Sequence, residues 1–139
     1  MPVDDLARSD VVTATPDASV AELASSMRAQ DVGSIVITDG DEPVGIVTDR
    51  DLTLRVLAEE VDPASVTAAD VMSEELCTVD RRAGFYRAAE RMSERGVRRL
   101  PVCDDETLVG IITADDLTEL LADEQEKVAD IIRAQRPPY

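Results

Sequence analysis

The phrase Gly45 to Leu52, GIVTDRDL, returns 65 positions later as Gly110 to Leu117, GIITADDL, so the chain must adopt a fold that can be built from one unit made twice. Set against itself at that offset, the chain aligns Thr13 to Leu52 with Thr78 to Leu117 without a gap, and 12 of the 40 pairs are identical. Composition alone gives about two or three. Most identities are apolar or small, such as Ala24/Ala89, Met27/Met92, Val32/Val97 and Gly45/Gly110, and these record packing. Thr48/Thr113 and Asp51/Asp116 are polar pairs that a core does not need, and they direct attention to a site.

In the first repeat, Val11 to Thr13 is a short extended run followed by a turn at Thr15-Pro16-Asp17. Ser19 with Glu22 reads as a capping box, and Val20, Leu23, Ala24 and Met27 recur at helical spacing behind it. Ser34 to Thr38 and Pro43 to Thr48 read as strands around the acidic turn Asp39-Gly40-Asp41, and helical spacing returns from Asp49 to Glu60 through Leu52, Val56 and Leu57. The second repeat follows the same plan. Phe85, Ala88, Ala89 and Met92 mark its first helix, Gly96 the stop, Arg99 to Cys103 and Leu108 to Thr113 the strands, and Leu117, Leu120 and Leu121 the inner face of its last helix. The two helical stripes are available for a core or for an interface. The spacing divides the chain into a first repeat over 1–61, a linker over 62–69, a second repeat over 70–122 and a helical extension over 123–139 that ends before Pro137-Pro138. The expected class is α/β (α+β), with tandem β-α-β-β-α units.

Thirty acids against 14 arginines and lysines leave a net charge of −16, with Lys127 the single lysine. Such an excess opposes binding to DNA or RNA, which needs a basic face, and to an anionic membrane surface. It resembles the hydrated acidic surfaces of salt-loving archaeal proteins. No apolar run is long enough for a membrane span and the N-terminus is acidic, so a cytoplasmic protein is expected. The absence of histidine removes serine-histidine catalysis and histidine-containing zinc sites, and Cys77 and Cys103 alone make neither a disulfide framework nor a metal cage. No nucleophile with a base is present, and no enzymatic activity is expected.

Thr-x-x-Asp at the start of a helix has two readings that stand side by side. The two side chains can satisfy each other's backbone donors as a capping box. Alternatively, the carboxylate can accept hydrogen bonds from a sugar's vicinal hydroxyls while the helix N-terminus faces a phosphate.

A duplicated β-α-β-β-α unit whose last strand ends in G-h-[IV]-T-x-x-D resembles the cystathionine-β-synthase (CBS) domain pair, or Bateman module, from about Val3 to Ala122; Gly96 to Asp104, GVRRLPVCD, is also close to that family's second-strand phrase. The resemblance implies repeats packed about a pseudo-twofold axis with two clefts for adenosine-containing ligands such as AMP, ADP, ATP or S-adenosylmethionine. It assigns Thr48 and Asp51 to one cleft and Thr113 and Asp116 to the other, with Asp on the ribose. Arg98 and Arg99 match family positions that often reach phosphates, whereas their repeat partners are Gly33 and Ser34, which leave room for a base against the strand. The clefts are therefore unequal; Arg50 stands near the first, where Asp115 stands in the second. The implied function is a stand-alone regulatory module, commonly a homodimer, that senses an adenosine ligand and signals to an effector protein. The alternative is a ligand-free interaction scaffold with degenerate sites.

Overall fold

In the computed structural model, which describes residues 1–73 and 75–137, each repeat forms its own three-stranded sheet. The first unit comprises β1 (Thr13–Ala14), α1 (Val20–Gln30), β2 (Ser34–Asp39), β3 (Glu42–Thr48) and α2 (Asp49–Leu52). After α3 (Ala68–Val71), the second comprises β4 (Val79–Asp80), α4 (Phe85–Arg95), β5 (Arg99–Asp104), β6 (Thr107–Thr113) and α5 (Ala114–Gln135). In each sheet the short first strand runs parallel to the second, and the second pairs antiparallel with the third. Registers obey the repeat offset: Ser34 faces Thr48 as Arg99 faces Thr113, and the irregularity at Ile37/Thr38 recurs at Val102/Cys103. The mixed α/β architecture and its two hairpins are those expected from the β-branched runs.

Local chemistry explains the boundaries. Ser19 and Glu22 form the reciprocal capping box that starts α1. Both long first helices end in the left-handed region, at Gly96 with φ +64° and at Asp31 with φ +53°, so the stop survives where the repeats differ in residue type. Val20, Leu23 and Met27 are buried with Ile35, Ile37 and Val47 in one core, and Ala88 and Met92 with Leu100, Val102 and Ile112 in the other. The two stripes are therefore core, with Ala24 left exposed.

The opening turn of each unit packs into the other half. Val3 is fully buried among second-repeat residues, and Ala68 and Val71 among first-repeat residues. The Val3 N–H donates to the Ala83 carbonyl at 2.7 Å as the Ala68 N–H donates to that of Ala18 at 2.8 Å. Phe85 donates to Met1 as Val20 donates to Val66, again 65 positions apart. The duplication thus reaches upstream to Val3 and Ala68, and the stretch 62–69 ends inside the first core. The two sheets meet along β3 and β6, where Leu108 donates to the Asp41 carbonyl at 2.9 Å.

Three inward positions expected from spacing lie elsewhere. After α2 the chain widens into a π-helical turn over Thr53–Leu57, with Ala58 donating to the Thr53 carbonyl at 2.9 Å. The altered angular step buries Val56 and leaves Leu57 75% exposed. On α5, Leu117 is buried, but the helix leaves the body after Leu120 and Leu121 is exposed. Ala24 is the third. The extension continues to Gln135; Pro138 and Tyr139 lie outside the described residues. Cys77 and Cys103 are buried free thiols, only Cys103 lying in a strand; burial, with Asp80 and Glu42 nearby, pushes the Cys103 thiol up and keeps it protonated. No helix among the described residues is long and apolar enough to cross a membrane.

Candidate functional site between the repeats

Thr48 and Thr113 stand where β3 and β6 turn into α2 and α5, and both Thr-x-x-Asp pairs form complete capping boxes. The Thr48 N–H donates to Asp51 Oδ2 at 2.9 Å and the Asp51 N–H to Thr48 Oγ1 at 3.1 Å. The Thr113 N–H donates to Asp116 Oδ2 at 2.9 Å and the Asp116 N–H to Thr113 Oγ1 at 3.2 Å. In each carboxylate the cap uses one oxygen, and Oδ1 remains for other partners.

The duplicated carboxylates differ in what meets Oδ1. Arg8, in the segment after the opening turn, donates to Asp116 Oδ1 from Nε at 3.3 Å and from Nη2 at 3.2 Å. Ser73 occupies the place 65 positions on, so Asp51 has no matching arginine. Asp116 is the buried charged side chain of the described molecule. Arg8 itself is held at the backbone, donating to and accepting from Ile111 on β6 at 2.9 Å each way.

A cavity of about 710 Å³ lies between the halves, with Gly33 and Ser34 from β2 and its approach, Arg99 from β5, Thr113 from the end of β6, and Arg8 on its wall. Val12, Val32, Val36 and Ile111 supply apolar surface to the same cavity, while Asp10, Asp31 and Asp115 add acids. The missing side chain of Gly33 matters here: a Cβ would stand 3.0 Å from Arg99 Nη2 and 3.3 Å from Asp49 Oδ2, so glycine admits the guanidinium over the strand. Arg98 shares a small recess of about 50 Å³ with Arg99, Thr113 and Asp115, its Nη2 lying 3.9 Å from Asp115 Oδ1.

Four residues singled out from sequence, Gly33, Ser34, Arg99 and Thr113, thus line one space, with Arg98 at its edge. Asp116 sits behind Arg8. Thr48 and Asp51 cap α2, and Arg50 borders a separate open depression with Asp49, Thr53 and Leu54. Sequence reasoning missed Arg8, Asp10 and Asp31. The signal for the Arg8 segment was the spacing of Val3, Leu6 and Ala7, repeated in Ala68, Val71 and Met72.

Comparison with known proteins agrees with this geometry. The CBS domain profile matches residues 3–58 and again 68–123, beginning each time at the turn exchanged between the halves. Uncharacterized protein MK0525 of Methanopyrus kandleri is 39% identical over 120 residues, covering 85% of this chain; the chain spans 61% of that protein. CBS domain-containing protein YhcV of Bacillus subtilis is 34% identical over 115 residues, 83% of this chain and 81% of YhcV. Among solved structures, the CBS domain pair of protein MJ0100 in complex with 5′-methylthioadenosine and S-adenosyl-L-methionine superposes with a TM-score of 0.81 at 25% identity, over 89% of this chain and 98% of that one. With two matched repeats, two paired sheets and a shared cleft, this chain belongs to the CBS domain family as a CBS pair.

Proposed function

We propose that this CBS pair is a regulatory module that holds an adenosine-containing ligand in the cavity bearing Gly33, Ser34, Arg99 and Thr113, and signals occupancy to a partner protein through changed packing of its halves. The observation that carries the reading is the cavity itself: about 710 Å³, apolar on one side, with guanidinium groups and a helix start on the other. That is the size and character of a small-molecule site. The bound adenosine compounds in the similar MJ0100 pair support the ligand class. In this reading the chain acts by binding and not by turnover, as a homodimer in the cytoplasm.

Calorimetric titration of AMP, ADP, ATP, NAD and S-adenosylmethionine in molar KCl tests it. Saturable binding of at least one is expected; silence with all five overturns the reading.

The completed capping boxes favour a second reading, an interaction scaffold in which both aspartates only close helix ends. Asp51→Ala and Asp116→Ala separate the two. A scaffold loses about 1 kcal/mol per cap and nothing else. A sensor loses ligand binding at the altered cleft as well.

A further inference from the structure

A capping role accounts for one oxygen of Asp116 and leaves Arg8 unexplained. The equivalent carboxylate, Asp51, closes α2 with the same pair of hydrogen bonds although serine stands where Arg8 would be. Arg8 is also two-thirds exposed at its side chain, 66%, against 8% for Asp116, so the guanidinium lies at the cavity wall with the buried acid behind it. Both of its bonds go to a single oxygen, at 3.2 and 3.3 Å, which is a loose arrangement beside the parallel fork that arginine makes with two oxygens of an anion. Its backbone is pinned to Ile111 on both sides, so only the side chain is free to change partner.

We propose that Arg8 sets the ligand preference of this cleft by exchanging Asp116 for the phosphate of a nucleoside monophosphate. The proposal rests on the adenosine-ligand reading and specifies it. In the empty cleft Arg8 neutralises Asp116. A ribose whose hydroxyls donate to Asp116 Oδ1 takes over that oxygen, and the released guanidinium turns to the phosphate, completing an anion site with Arg99. A nucleoside without phosphate displaces Arg8 and returns no anion to it, so it binds poorly. Charge limits the phosphate count: the wall carries Arg8 and Arg99 against Asp10, Asp31 and Asp115, a balance that suits one phosphate and opposes three.

The test is the ratio of adenosine to AMP dissociation constants, measured by calorimetry in molar KCl for the wild type, Arg8→Gln and Arg8→Lys. The wild type is expected to prefer AMP by about tenfold or more, the scale of one charge-assisted hydrogen-bonded pair, and AMP over ATP. In Arg8→Gln the preference for AMP over adenosine should fall to about threefold or less, with adenosine binding no weaker than in the wild type, and Arg8→Lys should restore part of it. An unchanged ratio in Arg8→Gln overturns the role of Arg8 and leaves the adenosine reading standing. A wild type that binds neither compound nor any of the other ligands overturns both. Thermal melts of the variants check folding; a residue that merely braces the chain would lower the melting temperature and leave the ratio where it was.

Discussion

Gly110 faces the backbone of Arg8 so closely that a Cβ on it would stand 2.9 Å from the Arg8 carbonyl oxygen. Backbone cannot turn aside as a side chain does, so Gly110→Ala must push the opening segment off β6 or strain the strand. A cost of about 1–3 kcal/mol is expected, the range for overpacking a tight contact. Denaturant unfolding at constant high KCl measures it, and a change within error of zero would show that the segment lies more loosely than its paired hydrogen bonds with Ile111 imply. Gly45 makes the equivalent approach to Met72, where a Cβ would meet Sδ at 2.5 Å. Part of that contact is a flexible thioether, and Gly45→Ala should cost less.

Val3 fills the second core from the far end of the chain. Val3→Ala should therefore destabilise by about 2 kcal/mol, as for other buried aliphatic truncations, although the residue is third from the N-terminus. A terminus that frayed freely would give an effect under a few tenths of that. Ala68, at the matching place, shows the side chain the other core takes there.

Acid should weaken the same attachment. Arg82, hydrogen-bonded at 3.0 Å, and then Arg81 hold the Asp104 carboxyl below its ordinary value of 3.8, while Arg81 also binds Asp4 at 2.8 Å. Because the folded value is depressed, the stabilisation is fully present above about 3.8 and is lost as pH falls through the folded value. Between pH 5 and 3 the wild type should lose stability more steeply than Asp104→Asn. Parallel curves would remove Asp104 from the acid response.

The net charge of −16 predicts that folding and binding both need salt. At 1 M ionic strength the Debye length is about 3 Å, which screens repulsion among separated acids while leaving direct arginine contacts in place. The melting temperature should rise with KCl, and the folded state should be lost in dilute buffer. AMP affinity should likewise fall at low ionic strength, opposite to ordinary phosphate binding. A melt indifferent to KCl would contradict the first expectation, and tighter binding in dilute salt the second.

The hairpins, their registers and the helix stops were legible because they depend on local chemistry repeated at one offset: β-branched runs, a short acidic turn, and a residue able to adopt positive φ. The same comparison marked Thr113, Gly33 and Arg99, which the fold does bring together. It could not mark Arg8, since its counterpart is Ser73 and a difference between repeats carries no periodic signal. Nor could it place the opening turns, where only Asp5 and Asp70 coincide between 3–8 and 68–73, and where burial is decided by the opposite half. Leu57 and Leu121 fit helical spacing but were set outward by a widened turn and by a helix that outruns its sheet. Spacing specifies a face; it does not say how far a neighbour extends along it.

Because each half lends its first turn to the other's interior, cutting the chain in the exposed stretch near Pro63 would divide the molecule into two polypeptides, each short of a piece of its own wall. Neither fragment would have a complete interior by itself, yet together they carry every missing part. The module is thus a natural split protein, in which reassembly of the fragments, and not the folding of either, would restore the cleft.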